Sequence, residues 1–220
     1  ELRDLDACTN LVAVLGRTNL VVAAVSGFRE RDRRMGWQQC GIVSSLPVID
    51  ASWSRWRRAH SVVPPRGYAY ALLDGGADGL VACFCVHLKS NYGATTPAEA
   101  HENALKREIC AVELATLAKK LKSPDGRKVK RIVVAGDFNT DAFADEFKGE
   151  ATLPTLEEAV FTSCFEGAKP EARNTHPGTG KFAGGTLDYI LYRGFREQTA
   201  LRIIFGAPVS DHNAVFVRLR

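Results

Sequence analysis

The residues best suited to chemistry stand in three short polar segments, each at an end of an apolar, β-branched run. The segments are Gly136–Asn139, Thr186–Ile190 and Ser210–His212. Because strand ends hold side chains on a rigid scaffold, we expect the Asp, Asn and His residues of these segments to share one site. Carboxylates can hold a divalent cation, and a His oriented by a carboxylate can move the protons of an attacking water. The set therefore predicts metal-assisted attack of water on phosphorus.

Asp137 and Asn139 flank Phe138 directly after an apolar strand. Alternation along an extended chain places both polar side chains on one side and turns Phe138 away from them. Asp137 can accept a proton from water, and Asn139 can donate a hydrogen bond to a phosphate. Taken alone, the same three residues also suit an Asx turn that closes a strand.

Asp211 and His212 are adjacent, and the tripeptide alone is equally compatible with a turn that carries an exposed His. We expect Asp188 to orient His212. An Asp between apolar residues, as in Leu187–Ile190, is costly to bury unless its charge is paired. A pair of Asp and His satisfies that need and tunes the imidazole.

Together with Val86–Ser90, these segments resemble the endonuclease/exonuclease/phosphatase family of Mg-dependent phosphoesterases. The order and spacing of the motifs match as well as their residues, so the resemblance extends over residues 1–220 as one domain. It implies an α/β fold, a four-layer sandwich of two packed, mostly antiparallel sheets with helices outside. Many short strands and few long helices favour the same class.

The resemblance also implies the role of each site residue. Asp137 and Asn139 would orient the attacking water and contact the scissile phosphate, Asp211 would bind the metal, and His212 would act as general base or acid. His87, at the end of the run from Val81, would contact phosphate or stabilise the transition state. The expected cofactor is Mg²⁺, for which Mn²⁺ can substitute.

Four further residues are candidates around this set. Lys89 and Asn91 could bind substrate phosphates, although a simple surface position explains them nearly as well, and Arg66 is a further candidate for phosphate contact. Arg107 stands on the predicted long helix just before Glu108, where the family often has an Arg. It is interpreted as a structural or supporting residue.

Glu1 is the position that resembles the family's metal-ligating Glu, which precedes a helix. The family's first strand, which carries a metal-site Asn, has no counterpart in the sequence. We therefore expect Glu1 and Asp211 to be the metal ligands. Two explanations for the missing Asn stay open: upstream sequence supplies it, or the metal site is impaired.

The composition predicts one ordinary globular domain. The chain has 220 residues, 45% of them hydrophobic and 25% charged, and a net charge of +4. No stretch approaches the roughly 18 apolar residues that a membrane span requires. The six cysteines contain no C-x-x-C pair, so neither a zinc site nor a redox motif is supported, and disulfides stay open. The composition does not indicate a compartment, and the expected state is a monomer.

Nucleic acid is the expected substrate. The mildly basic charge is compatible with a phosphate-rich partner, and a solvated surface with a few extra Arg explains it equally well. The stretch Trp53–Arg58 interleaves Trp and Arg, which suits base stacking with phosphate contact, but also an edge strand with Arg lying over Trp. One alternative is a phosphatase or phospholipase-type phosphodiesterase acting on an inositol phosphate, sphingomyelin or another small phosphoester. Another is a catalytically dead binding module.

Local patterns predict the elements that must position these residues. Helices are expected at 5–15, ended by Gly16, and from Pro97 to about Leu121 after a capping box at Thr96. Strands are expected at 20–25, 40–44, 68–73, 80–87, 131–135, 186–192, 201–205 and 214–219. Residues 164–185, rich in Gly, Pro and Thr, are expected to form a long loop.

Overall fold

The structure is a computed structural model, and it describes residues 2–30, 34–59, 61–180, 183–206 and 210–220. Its helices are α1 (Leu5–Leu15), α2 (Pro97–Lys120) and α3 (Thr152–Glu158). Its strands are β1 (Val21–Val25), β2 (Gly41–Ser44), β3 (Val48–Arg55), β4 (Gly67–Asp74), β5 (Leu80–His87), β6 (Arg131–Asp137), β7 (Thr162–Ser163), β8 (Asp188–Arg193), β9 (Gln198–Ile204) and β10 (Ala214–Leu219).

The two predicted helices begin and end where their capping residues require. The Asp4 side chain accepts a hydrogen bond from the amide of Ala7 at 2.8 Å, and Gly16 ends α1 in the left-handed conformation. At α2, the Thr96 and Glu99 side chains exchange bonds with each other's backbone, and Pro97 occupies the first turn. These caps satisfy amides that the helix itself leaves without partners.

Six strands form a large sheet in the order β3–β4–β5–β6–β8–β7. The contact between β5 and β6 is parallel, and the other pairings are antiparallel. α2, which connects β5 to β6, covers one face. Its Ala111 and Leu114 share a buried core with Phe84, Ile132 and Val134 of the sheet.

Two antiparallel strand pairs, β1–β2 and β9–β10, lie against the other face and are called here the second layer. β1 contacts β3 and β4, whereas β10 contacts β8. α1 packs outside β1–β2. The order of layers is thus helix, sheet, sheet and helix, which is the four-layer α/β sandwich that the sequence predicted. No helix among the described residues is long and apolar enough to cross a membrane.

The strands β3 and β7 and the helix α3 were not among the predicted elements, although an edge strand was one interpretation of the stretch that begins at Trp53. β3 is exposed along its whole length, so it shows no alternation of buried and exposed side chains, and α3 has only seven residues. Both Trp side chains of the stretch Trp53–Arg58 pack against other parts of the protein. Trp56 is buried in the core, and Trp53 packs edge-on against Phe28. All six cysteines are free thiols.

Candidate active site

Three of the predicted site residues lie in one lateral row across neighbouring strands. His87 ends β5 and stands opposite Asp137 of β6, and Asp137 stands opposite Asp188, the first residue of β8. His87 Nε2 lies 3.5 Å from Asp137 Oδ2. Because β6 is parallel to β5 and antiparallel to β8, the ends of two strands and the start of the third meet at the same edge.

Gly136 allows β6 to approach β5 closely beside this row. Its φ is 144°, and a Cβ added there would lie 1.9 Å from the carbonyl oxygen of Val86. No side chain larger than hydrogen fits such a contact, so only glycine can occupy this position of the motif without displacing the strands.

The Asp137–Asn139 segment forms the Asx turn and also faces the site, so the two interpretations of the sequence are compatible. The Asn139 amide nitrogen donates to Asp137 Oδ1 at 2.8 Å, and Asn139 Nδ2 donates to Asp137 Oδ2 at 2.7 Å. Phe138 is fully buried, as alternation predicted. Burial, reinforced by the nearby charge of Asp188, raises the pKa of Asp137 to about 6.

The expected contact between Asp188 and His212 is present. Asp188 Oδ2 lies 2.7 Å from His212 Nδ1, and this bond raises the pKa of His212 to about 9. Thr175 holds the backbone at Asp188, because its Oγ1 accepts a hydrogen bond from the Asp188 backbone amide at 3.0 Å. The ring is therefore a cation at neutral pH in the metal-free protein, and its Nε2 is the nitrogen that stays available to substrate or water.

Two connected hollows open on these residues. The smaller, of about 150 Å³, is lined by His87, Asp137, Asp188, Asp211 and His212 together with parts of β5 and β6 and the two residues before β2. The larger, of about 640 Å³, shares Asp211 and His212 with it. It extends past Asn139 to the segments 90–97, 141–147, 176–179 and 183–187. Neither hollow is lined by a Lys or Arg among the described residues.

The basic candidates lie beneath the site. Arg66 donates from Nε to the carbonyl oxygen of His87 at 3.0 Å and from Nη2 to that of Leu88 at 2.5 Å. Lys89 Nζ donates to the carbonyl oxygen of Ser90 at 2.6 Å. These bonds hold the chain that follows β5, which gives both cations a supporting role whether or not they also meet a phosphate.

Arg107 explains how this segment is fixed from the helix side. It is fully buried and forms two hydrogen bonds to the carboxylate of Glu150, one of them from Nε at 2.8 Å. Its Nη1 donates to the carbonyl oxygen of Lys89 at 2.7 Å and to Asn91 Oδ1 at 3.1 Å. Arg107 is thus the supporting residue that the sequence predicted, and Asn91 is one of its partners.

His176 is a third imidazole that sequence reasoning missed. It is buried, and its ring lies edge-on against His212 with 4.9 Å between centroids. Burial and the neighbouring His212 lower the pKa of His176. It stands in the segment 164–185, where the sequence has no strand or helix pattern. The only signal was a His beside Thr175, one of many polar residues in a presumed loop.

The donors around the smaller hollow fit a hard divalent cation. Three carboxylates, Asp137, Asp188 and Asp211, line it, and a divalent ion bound by oxygen ligands would offset their mutual repulsion. Donor atoms of His176, Asp211 and His212 also lie within 4.8 Å of one another. Glu1, the other expected ligand, lies outside the described residues.

The family model of the endonuclease/exonuclease/phosphatase family matches residues 10–212, so the chain belongs to this family. Its members are hydrolases that act on phosphoester bonds. No curated protein sequence matches the chain.

Solved structures with the same fold are distant in sequence. One is a family member from Leptotrichia buccalis, 13% identical, with a TM-score of 0.65 over 97% of this chain and 78% of that chain. The catalytic domain of human nocturnin with bound sulfate is 17% identical, with a TM-score of 0.57 over 98% and 77%. Sphingomyelinase C from Streptomyces griseocarneus is 18% identical, with a TM-score of 0.50 over 80% and 65%.

Proposed function

We propose that the chain is a divalent-metal-dependent hydrolase of phosphodiester bonds. The observation that carries this proposal is the 2.7 Å contact between Asp188 and His212, placed beside the row His87, Asp137 and Asp188. A carboxylate that orients an imidazole is the arrangement used for proton transfer and charge stabilisation in hydrolysis.

Asp137 and His212 divide the proton chemistry between them. A pKa of about 6 leaves Asp137 ionised at neutral pH but still basic enough to accept the proton of an attacking water. His212, held as a cation by Asp188, presents Nε2–H to the phosphoryl oxygens or to the leaving oxygen. After turnover Asp137 would release the proton of the water to solvent and His212 would take up a proton from solvent, so both groups would return to their starting states.

His87 and Asn139 hold the phosphoryl group in this proposal. His87 lies against Asp137, and the Asn139 amide stands at the mouth of the larger hollow. Both can donate hydrogen bonds to non-bridging oxygens, whose charge grows as water attacks. Lys89, Asn91 and Arg66 would act mainly by fixing the chain that carries His87.

Asp211 is the proposed metal ligand among the described residues, and Glu1 is proposed to join it. Mg²⁺ or Mn²⁺ held there would neutralise phosphate charge and stabilise the leaving oxygen. Mn²⁺ can take the same carboxylate ligands as Mg²⁺.

Nucleic acid is the substrate that the sequence predicts, and one observation favours a smaller one. The described residues that line the two hollows include no Lys or Arg. A polynucleotide carries phosphates on both sides of the scissile bond, and proteins usually meet them with cations. The second candidate is therefore a small phosphodiester, such as sphingomyelin, for which the similar sphingomyelinase C is named.

The test compares hydrolysis of plasmid DNA, bis-p-nitrophenyl phosphate and p-nitrophenyl phosphate in Mg²⁺, Mn²⁺ or EDTA, with any upstream sequence included in the protein. Metal-dependent nicking with weak monoester activity supports a nuclease. Hydrolysis of the small diester with intact DNA supports the second candidate. A folded protein that is silent on all substrates and binds no metal would point to a binding module.

A further inference from the structure

His176 is the one buried imidazole of the site for which the proposed mechanism has no use. Its side chain lines the larger hollow together with Asp211 and His212. One of its ring nitrogens lies within 4.8 Å of a carboxylate oxygen of Asp211 and a ring nitrogen of His212. A donor at this distance from His212 can contact the same phosphoryl group that His212 contacts in the proposed mechanism.

Backbone hydrogen bonds fix the position of His176 beside the Asp188–His212 pair. The His176 amide donates to the Gly185 carbonyl at 3.0 Å, and the Gly185 amide donates back to the His176 carbonyl at 2.8 Å. The preceding Thr175 bonds to the Asp188 amide through its hydroxyl and to the Asn213 amide through its carbonyl at 2.7 Å. The segment therefore links the residue at the start of β8 to the residue that follows His212.

A local contact sets the tautomer of His176. The amide of Gly178 donates to His176 Nδ1 at 3.3 Å. Nδ1 must then carry a lone pair, so the hydrogen of the neutral ring is on Nε2. Burial disfavours the charged ring, in agreement with its lowered pKa. The ring thus offers the hollow an N–H donor without a positive charge.

We infer that His176 donates a hydrogen bond from Nε2 to a non-bridging phosphoryl oxygen of the substrate, as a second donor beside His212. This inference rests on the proposed function. The proton stays on His176 throughout, because the residue stabilises charge on oxygen and transfers nothing. A donor that is already held in position contributes to the rate without reorganisation.

The same contact argues against His176 as a metal ligand. Coordination through Nε2 would require the ring hydrogen to move to Nδ1. That hydrogen would then face the amide hydrogen of Gly178, and two donors would oppose each other. The neutral Nε2–H form avoids this conflict.

Two substitutions separate the donor from the ring. His176→Phe keeps an aromatic ring against His212 and removes the donor, whereas His176→Gln places an amide N–H near the position of Nε2. We expect kcat on bis-p-nitrophenyl phosphate to fall about 10–100-fold in H176F and less than about 5-fold in H176Q, with KM little changed. His101→Phe, on the exposed surface of α2, is the matched control and should be unaffected.

If His176 is only a hydrogen-bond donor, its substitution should leave the affinity for the metal unchanged. The Kd for Mn²⁺, measured by electron paramagnetic resonance, should agree within about 2-fold among wild type, H176F and H176Q. A loss of Mn²⁺ affinity parallel to the loss of rate would make His176 a ligand and overturn the inference. Equal rates in H176F and wild type would also overturn it, as would equal losses in H176F and H176Q.

Two further measurements keep this inference separate from the proposed function. Inorganic phosphate, titrated with Mg²⁺ present, should bind more weakly to H176F than to wild type even if no substrate is hydrolysed. Nitrogen-15 NMR of the imidazoles should show the Nε2–H tautomer at His176 in the wild-type protein, and a protonated Nδ1 would overturn the inference. The tautomer and the H176Q variant decide the matter if H176F does not fold.

Discussion

The large sheet and the second layer opposite it contribute to the site in different ways. β5, β6 and β8 supply His87, Asp137 and Asp188 from strands whose neighbours fix them on both sides. The second layer supplies Asp211 and His212 from the segment before β10, and no residue of β9 or β10 is buried. The site thus joins a well-buried half to a more exposed half, and the Asp188–His212 bond fastens them together.

This difference predicts how substitutions in each half of the site affect stability and activity. A residue of the large sheet acts through its register and packing, so a substitution there should affect stability and activity together. A residue beside the second layer acts mainly through one or two polar contacts, so its loss should affect activity far more than folding.

The largest expected effect is the loss of the bond that joins the two halves. His212→Ala and Asp188→Asn should each lower kcat on bis-p-nitrophenyl phosphate, by about 10³-fold or more for His212→Ala. The two residues act as one unit, so the double variant should be little slower than His212→Ala alone. Losses that multiply in the double variant would show that the two residues act independently.

A pair of glycines compares the two halves by stability alone. Gly136→Ala places a Cβ against the Val86 carbonyl, and it should cost more than about 3 kcal/mol of unfolding free energy. Gly206→Ala, just after β9, has a φ of 73° and no neighbour within 4 Å of the added Cβ. It should cost about 1 kcal/mol, from backbone strain alone.

Urea denaturation of both glycine variants measures the difference. Similar costs at the two positions would mean that the large sheet is no more tightly constrained than the second layer.

The smallest expected effect concerns the charge of Asp137. Its pKa of about 6 in the folded protein lies above the ordinary value of 3.8, so the folded protein binds this proton more tightly than the unfolded chain. The stability contributed by the proton is present below about pH 4 and is lost as pH rises through 6. Asp137→Asn stays neutral, so without metal it should exceed wild type in stability above pH 6 by about 1–2 kcal/mol.

Thermal unfolding in EDTA at pH 4 and pH 8 checks this prediction, with the exposed Asp145→Asn as control. The advantage of Asp137→Asn should shrink towards pH 4, and the variant should be nearly inactive at both pH values. An Asp137→Asn protein that is less stable than wild type at pH 8 would contradict the sign.

The sequence predicted the fold class and the contact between Asp188 and His212, because both follow from local signals. A polar residue at the end of an apolar run faces a sheet edge, and an Asp among apolar neighbours needs a partner. The order of the motifs along the chain then matched that of a known family. These features depend on residue type and spacing, which a single chain displays.

Other features depend on contacts that spacing does not encode. The long side chains of Arg66 and Lys89 could have reached a phosphate, but in the structure both donate hydrogen bonds to backbone carbonyls. His176 gave no periodic signal because its position is fixed by bonds to Gly185 and Gly178 rather than by a strand. β3 was missed because neither of its faces is buried.

Because His87, Asp137 and Asp188 lie in one lateral row, the activity of the site depends on the alignment of β5, β6 and β8. A slip of β6 by one residue against either neighbour would turn Asp137 to the opposite face and move Gly136 out of its close contact with Val86. A chain that has collapsed and formed α2, but has not aligned these three strands, would have helical signal and no hydrolysis. The rate at which activity returns during refolding would therefore report the rate at which β5, β6 and β8 reach their native register.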